Sequence, residues 1–568
     1  MKIRNIIIAG ACSLSMLSCS FLNFDETNGL QTEENMYEIF NNVTGMLTNV
    51  YSSMPQYAGF TSATMDGLAM RDCASDDAEY GITNATVQNV NNGTWSATNT
   101  YDDSWTLYSG VRAANDFIAH INDVDLSRFS SLAGYENEMK RMQYYEYEAR
   151  VLRAFYFFEL ARRYGDIAMP LTVLSIDEAN SMSETPFAEV VDFIVSECTA
   201  CAPHLPLDYN TVPASQIGRV TKGFALAVKT KALLYAASPL HNASNDVEKW
   251  KAAARAAKEV MDLGHYTLDF DFVNNTTSSE LVLARMNAAS SSFELYNFPY
   301  RFTYGTRGAN LLAAGNYPTQ NLVDAFETVN GYKVTLGADG WICADPDFDA
   351  QHPYDNRDPR FARTILADGM SFKGSTIESY VGGADDMAVS LGGSATGYFV
   401  RKYLQESANF DPTQTGGAAY MHHWVLYRYA ETLLSYAEAM VNAFGSGSYT
   451  DGEFTVSALD ALNEVRANAS MPDVQDGSRE ELLEKIRNEW RVEFAFEDHR
   501  FWDVRRWKIA GETQTNIYGV QVVRNGNDSK SYYRRIVENR TWRDAMYLYP
   551  IPQAELFKNT NLVQNAGW

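Results

Sequence analysis

Four acidic side chains lie close together in the stretch RDCASDDAEYGITN, at Asp72, Asp76, Asp77 and Glu79. Two carboxyl groups can cleave a glycosidic bond when they lie about 5–5.5 Å or about 6.5–9.5 Å apart across a sugar. Neighbours on one loop can meet these distances by chance, and the sequence shows no apolar environment of the kind that a general acid requires. We therefore do not predict an enzyme, and we keep a glycosidase as the weaker alternative.

Two stretches combine aromatic rings with short polar side chains. The first is RDCASDDAEYGITN with the following GTWSATNTYDD, and the second is FELYNFPYRFTYGTRG. Aromatic rings stack on the C–H faces of sugars, while carboxylates, amides and guanidinium groups bind hydroxyls. The candidate ligand-binding residues are Asp72, Asp76, Asp77, Tyr80, Asn84, Trp95, Tyr296, Tyr300, Tyr304 and Arg307. For each of them, a role as turn residue, helix cap or core ring is the alternative.

A D-x-D-x-D pattern, formed by Asp345, Asp347 and Asp349, resembles the start of a calcium-binding loop. Such a loop requires glycine at its sixth position and glutamate at its twelfth, where this chain has Ala350 and Asn356. An acidic surface turn is therefore the favoured interpretation, with structural calcium as the alternative. We predict no other cofactor.

Cys198 and Cys201 form a C-x-x-C motif, which invites a redox or zinc interpretation. The motif lies inside a predicted helix, away from the N-terminal end that would stabilise a thiolate. No second C-x-x-C or histidine pair completes a zinc site. We interpret both cysteines as buried structural residues.

A further cysteine, Cys19, follows a short N-terminal apolar run at 6–17. The run is too short to span a bilayer and is typical of a signal-peptide core. In a bacterial chain this arrangement resembles a lipobox, although Met16 replaces the usual leucine. We predict a lipoprotein signal peptide at 1–18 and a mature body at 19–568 that begins with lipidated Cys19 and is held on a membrane by its acyl chains. An ordinary secretory signal is the alternative.

The chain is strongly acidic, with 46 Lys and Arg against 71 Asp and Glu and a formal net charge of −25. Nucleic acid is excluded as an expected partner because its phosphates require a basic face. Electrostatic adsorption to an anionic membrane is excluded for the same reason. No later apolar run reaches the ~20 residues of a transmembrane helix. We therefore expect Cys19 to supply any membrane attachment.

Helical periodicity dominates the elements that must position these residues. At 148–167, apolar Ala149, Leu152 and Leu160 recur in steps of three and four, with arginines largely on other faces, and Gly165 ends the pattern. Thr221 is a predicted N-cap, and Ser478 with Glu481 a capping box. The predicted mainly α scaffold of tetratricopeptide-like helical repeats occupies 32–54, 104–264 and 422–510. The long irregular segments 55–103 and 265–420 are predicted to form a ligand-binding region.

Nine segments occur in an order that is highly specific in combination, although each alone is weak. They are EARVLRAFYFFELARRYGDI (148–167), GRVTKGFALAVKTKALLYAASPL (218–240), PTQNLVDAF (318–326), NRDPRF (356–361), YFVRKYL (398–404), WVLYRYAETLLSYAEA (424–439), LNEVRANASMP (462–472), RNEWRVEFAFEDHRFWDVRRW (487–507) and LYPIPQAELFKNTNLVQNAGW (548–568). With these segments the whole mature chain resembles the SusD/RagB family, surface lipoproteins that pair with TonB-dependent transporters in the outer membrane of Bacteroidetes.

The resemblance implies a non-catalytic, lipid-anchored glycan-binding protein at the cell surface. Such a protein captures oligosaccharide or polysaccharide and delivers it to a SusC-like TonB-dependent transporter, on which the helical scaffold docks. A peptide-capturing RagB-like lipoprotein is the alternative, and the glycan itself stays open. The family motifs assign no ligand contact, and we predict that Glu497, Asp498 and His499 within 487–507 belong to a structural ion-pair network.

Overall fold

The computed structural model describes residues 37–58, 60, 68–102, 104–209, 217–308, 311–390, 392–527 and 529–568. The predicted signal peptide and Cys19 lie outside the described residues. The α-helices are α1 Phe40–Ser52, α2 Gln88–Asn91, α3 Leu107–Ile121, α4 Tyr135–Met142, α5 Tyr145–Tyr164, α6 Ile176–Ala179, α7 Phe187–Cys201, α8 Lys222–Ala237, α9 Val247–Met261, α10 Ser292–Asn297, α11 Gln320–Val323, α12 Pro359–Thr364, α13 Tyr429–Phe444, α14 Ala458–Asn468, α15 Arg479–Glu493, α16 Arg500–Arg506, α17 Ala510–Thr513 and α18 Gln553–Lys558. The strands are β1 Ala78–Tyr80, β2 Leu281–Met286, β3 Asn316–Pro318, β4 Val334–Gly337, β5 Gly340–Cys343, β6 Ile365–Leu366, β7 Ser371–Phe372, β8 Ser375–Thr376, β9 Phe399–Val400, β10 His423–Arg428, β11 Asn516–Arg524 and β12 Lys530–Asn539.

The long helices form a continuous packed array. Helix α1 packs on α3, α3 on α5, α5 on α7, α7 on α8 and α8 on α9. The next neighbour of α9 is α13, which packs in turn on α14 and α15. Because residues 265–420 lie between α9 and α13 in the chain, the helical scaffold continues past them as if they were an insertion. The predicted mainly α, repeat-like scaffold is confirmed.

Helix α5 lies in the centre of this array and is buried on nearly every face. Its first turn carries Glu146 and Glu148, and its last turn carries Arg162 and Arg163, which complements the helix dipole. Arg162 and Arg163 are buried, and both pair with Glu159. Burying these charges is tolerated because each has an opposite charge within hydrogen-bond distance.

The predicted helix caps are confirmed. The side chain of Thr221 accepts a hydrogen bond from the backbone N–H of Phe224 at the start of α8. Ser478 and Glu481 form a reciprocal capping box at the start of α15. These local signals could be predicted because each involves residues three positions apart.

Two antiparallel strand pairs position the irregular segments. Strand β2 pairs with β10, with Met286 opposite His423, so the two ends of the 265–420 region lie side by side. Strand β1 pairs with β3, with Tyr80 opposite Asn316. This second pair joins the first irregular segment to the second, although more than 230 residues separate them. The strand pairing therefore decides which loops share a surface.

In the part of the chain that the structure describes, no helix is both long enough and apolar enough to cross a membrane.

Candidate ligand-binding face

The acidic cluster of the first segment is directed into the protein. Asp76 accepts two hydrogen bonds from Arg500, at 2.8 and 3.0 Å, and lies 2.9 Å from Arg491. Asp77 accepts from Nε of the same Arg491 at 2.7 Å. Both carboxyls are almost fully buried. Burial alone raises the pKa of Asp76, but Arg491 and Arg500 outweigh it and lower that pKa to about 2.

Asp72 is also buried, in a different electrostatic environment. Its Oδ1 accepts a hydrogen bond from the backbone N–H of Phe496 at 2.9 Å. Burial raises the pKa of Asp72 well above its usual value, and the negative charges of Asp77 and Asp498 add to the shift. The three predicted aspartates are therefore buried inside the protein and do not lie on the proposed ligand surface.

Trp95 and Tyr80 are likewise core residues, with exposed fractions of 1% and 3%. The indole of Trp95 packs edge-on against Tyr549, with ring centroids 4.7 Å apart, and against Trp568 at 5.0 Å. A ring enclosed in this way has no free face for a sugar, so Trp95 fixes the C-terminal residue instead. In the first segment, Asn84 is the candidate that is exposed.

Arg307 is buried and fixes the backbone conformation of the second segment through hydrogen bonds. Its guanidinium donates to the backbone carbonyls of Leu295, Phe298, Leu312 and Ala314, at 2.8 to 3.0 Å. Among the described residues no carboxylate pairs with it, and burial lowers its pKa. Arg307 therefore holds the loop in shape and does not itself face a ligand.

The two predicted segments lie next to each other in the fold. Tyr80, Tyr296 and Tyr300 all lie near enough to Arg307 to interact with its charge. The Arg307 guanidinium carbon is 5.8 Å from the centroid of the Tyr300 ring. Pairing of β1 with β3 causes this convergence, because it places Tyr80 beside the end of the second segment.

Three tyrosine side chains near the contact between the two segments are at least partly accessible to solvent. Tyr296 and Tyr300 are half-buried, and Tyr304 is 51% exposed. Tyr304 adopts a left-handed backbone conformation, with φ of 48°, directly after the 3₁₀ turn Tyr300–Thr303. Its hydroxyl lies near enough to Asp411, on the loop 405–421, to lower the pKa of that carboxyl. We name Tyr296, Tyr300, Tyr304 and Asp411 the aromatic face.

Two neighbouring loops border the aromatic face, and no sequence motif marks either of them. On the loop 405–421, Tyr420 donates a hydrogen bond to the Ser407 hydroxyl at 3.0 Å. On the loop 381–393, Gly392 packs so closely on Tyr300 that a Cβ at Gly392 would lie 2.2 Å from the Cβ of Tyr300. The turn residues of both loops do not indicate that these loops lie beside the aromatic face, because their contacts with it depend on the tertiary fold.

The predicted structural network at 487–507 is confirmed. Glu497 binds Arg428 at 2.8 Å and also pairs with Lys402. Asp498 accepts from Arg71 at 2.7 Å, and His499 lies 3.5 Å from a carboxylate oxygen of the scaffold. These groups neutralise one another inside the protein, so they form no acid–base pair that faces solvent.

The C-x-x-C cysteines are buried free thiols on α7, as predicted. Burial raises the pKa of Cys201 to about 12 and that of Cys198 well above its usual value. Both side chains therefore stay protonated at neutral pH and are poor nucleophiles.

The D-x-D-x-D aspartates hold their own turn together. Asp345 accepts hydrogen bonds from Thr328 and from the backbone of Asp347, whereas Asp349 pairs with His352 at 2.7 Å. Across the described ranges, no three His, Cys, Asp or Glu side chains lie close enough to share a metal ion. These contacts connect Asp345 and Asp349 to neighbouring protein groups, and structural calcium stays a prediction.

Comparison with known proteins gives a consistent family signal. Residues 280–568 match the model of the SusD family. A curated relative, SusD-like protein P2 of Formosa agariphila, is 24% identical and the match covers 97% of each chain. A SusD-like protein from Bacteroides fragilis is 27% identical with a TM-score of 0.75, covering 94% of this chain and 98% of that one. A SusD-like carbohydrate-binding protein from the same species is 25% identical with a TM-score of 0.71, covering 93% and 100%.

Proposed function

The chain belongs to the SusD family, and from this premise we propose that it is a non-catalytic surface protein that binds glycans. A relative of similar length and fold is described as carbohydrate-binding, which supports this class of ligand. In full, the proposal is a lipoprotein that is anchored through Cys19, captures oligosaccharide or polysaccharide, and delivers it to a SusC-like TonB-dependent transporter.

The aromatic face is the observation that carries the glycan proposal. It combines three tyrosines of graded exposure, Tyr296, Tyr300 and Tyr304, with the carboxylate of Asp411. Tyrosine rings can stack on sugar C–H faces, and a carboxylate accepts hydrogen bonds from sugar hydroxyls. Tyr304 combines a left-handed backbone with an exposed ring, on a loop that Arg307 holds in shape.

The ion pairs of the acidic cluster with arginines support a function without catalysis. Asp76 is bound by buried Arg500, Asp77 by half-buried Arg491, and Glu79 pairs with Arg540 at 2.6 Å. A general acid or nucleophile must reach the substrate, and these carboxyls contact protein groups instead. Glycan binding without bond cleavage is therefore the function that this part of the chain supports.

Isothermal titration against a panel of polysaccharides tests the proposal. We expect binding to at least one glycan, with affinity reduced at least tenfold in Tyr300→Ala or Tyr304→Ala, which is about 1.4 kcal/mol. Tyr332→Ala is the matched control, since Tyr332 is 42% exposed but lies outside the aromatic face. Failure to bind any glycan, together with binding of cationic peptides, would favour peptide capture instead.

Partnership with a transporter needs a separate measurement. We expect the native protein to co-purify from outer membranes with a TonB-dependent transporter and to carry acyl chains on Cys19. Recovery of the protein always alone would argue against the pairing, and an unmodified Cys19 in an intact-mass spectrum would argue against the anchor. Glycan binding in solution can survive either result.

A further inference from the structure

A cavity that is separate from the aromatic face lies on another part of the irregular region. Its volume is about 460 Å³, which lies within the usual size range of small-ligand sites. The walls are the turn 269–274, helix α12, the chain at 401–406 and the C-terminal end of α15. The residues that line it include none of the aromatic face, so a ligand here would be independent of the glycan site proposed above.

The cations at the floor of this cavity are already neutralised. Arg360 lies 2.7 Å from Asp358 and 2.8 Å from Glu493. Lys402 pairs with Glu497 and also donates to backbone carbonyls. These groups are buried and their charges are balanced, so the floor offers no free positive charge to a ligand.

The two arginines at the rim differ from each other. Arg401 is bound to Glu406, with Nη2 at 2.6 Å from the carboxylate and Nε at 2.8 Å. Arg363 contacts Asp271 at 3.5 Å, which is too long for a strong hydrogen bond, and the Asp271 side chain is 67% exposed. The guanidinium of Arg363 stacks on the Phe270 ring, 4.0 Å from its centroid.

The Phe270 ring covers the Arg363 guanidinium on one side, and few protein groups engage its N–H donors. Arginine has five N–H donors, and the described residues engage Arg363 through one long contact. The Arg363 side chain is only 28% exposed, so the group is partly desolvated at the mouth of a cavity. A planar, underpaired guanidinium in such a place is well suited to bind a carboxylate through two parallel hydrogen bonds.

We propose that this cavity binds a uronic acid residue of an acidic oligosaccharide, with its carboxylate on the free edge of Arg363. The rim carboxylates Asp269, Asp271 and Glu406 would then accept hydrogen bonds from the sugar hydroxyls. Phe270 supplies apolar surface beside them. The same three carboxylates would repel a doubly charged phosphate group more strongly than a singly charged carboxylate, which is why a sugar acid is the preferred ligand.

Titration with trigalacturonic acid and with its neutral counterpart galactotriose, at equal ionic strength, tests this inference. We expect the wild-type protein to bind the acidic trisaccharide at least tenfold more tightly. Arg363→Gln should abolish this preference, and Arg363→Lys should restore only part of it, because lysine keeps the charge but lacks the planar fork. Arg128→Gln is the control for loss of one positive charge, since the Arg128 side chain is 52% exposed elsewhere.

Three results would overturn the inference. They are equal binding of the two trisaccharides by the wild-type protein, an unchanged preference in Arg363→Gln, and displacement of the acidic trisaccharide by an equal concentration of inorganic phosphate. Circular dichroism of Arg363→Gln checks that the variant is folded. The outcome is distinguishable from failure of the proposed function, because Tyr304→Ala should leave the preference for the acidic trisaccharide intact.

Discussion

Arg500 binds Asp76 through two parallel hydrogen bonds, from Nε to Oδ1 at 2.8 Å and from Nη2 to Oδ2 at 3.0 Å, across a separation of 424 residues. Arg491, one helix earlier, binds the same carboxylate and also Asp77. The first irregular segment is thereby fastened to the C-terminal part of the scaffold. The acidic cluster of this segment, which by residue type is compatible with catalysis, instead joins distant parts of the chain through ion pairs.

Two isosteric substitutions in this segment should have different effects. Asp76→Asn removes the paired carboxylate of buried Arg500 and one of the two carboxylates that Arg491 contacts, and we expect it to reduce the free energy of unfolding by about 3 kcal/mol. Asp72→Asn should reduce it much less, because Asp72 accepts a backbone hydrogen bond from Phe496 and pairs with no arginine among the described residues, and burial raises its pKa. Urea unfolding at pH 7 measures both.

Asp123→Ala is the surface control for this pair, with an expected change below about 0.5 kcal/mol. Equal losses for Asp76→Asn and Asp72→Asn would contradict the difference between their partners, which are arginines for Asp76 and a backbone N–H for Asp72.

The stability of the protein should fall in acid. Facing cations lower the pKa of Asp76, Glu431 and Glu493 to about 2 against the opposing effect of burial. Carboxyls with a lowered folded-state pKa stabilise the protein above the unfolded-state pKa near 4, and this contribution is lost as the pH falls toward 2. For Asp76 alone the loss is about 2 kcal/mol.

Urea midpoints at pH 7, 5 and 3 check the acid dependence. We expect little change between pH 7 and 5 from these groups and a marked fall by pH 3. The fall should be smaller in Asp76→Asn, since that variant has already lost the titrating group. A midpoint that rises on acidification to pH 3 would contradict the prediction.

Replacement of Arg307 should disrupt the aromatic face, although Arg307 is not one of its residues. Arg307→Met leaves four backbone carbonyls without their donor, and we expect a loss of about 2–4 kcal/mol of stability. The affinity for the glycan found in the panel should fall at least tenfold as the loop that carries Tyr300 and Tyr304 loses its shape. Titration calorimetry and urea unfolding, with Arg128→Met as control, measure the two effects; unchanged affinity would show that the loop does not need this support.

The four described cysteines should differ in reactivity. Cys73, Cys198 and Cys201 are buried with a raised pKa, whereas Cys343 is partly exposed. Iodoacetamide at pH 8 should therefore modify Cys343 first in the folded protein and the other three only after unfolding. Peptide mass spectrometry gives the order directly, and rapid labelling of Cys201 in the folded state would contradict its burial.

Local patterns in the sequence were sufficient for the scaffold. Recurrence of apolar residues in steps of three and four predicted the long helices, and spacing of three positions predicted the caps at Thr221 and Ser478. The placement of Cys198 and Cys201 inside a helix predicted their structural role. Nine ordered segments indicated the family that the comparisons then showed.

Local sequence patterns could not predict which residues of the candidate site are accessible to solvent. Asp76 and Trp95 have the residue types of a sugar site, yet partners hundreds of positions away enclose them. Asp411 was missed because its contact with Tyr304 joins two loops that carry no common sequence signal. Helix formation and capping depend on neighbours in the chain, so the sequence by itself determined the scaffold, whereas exposure depends on what packs against a side chain, which only the tertiary structure decided.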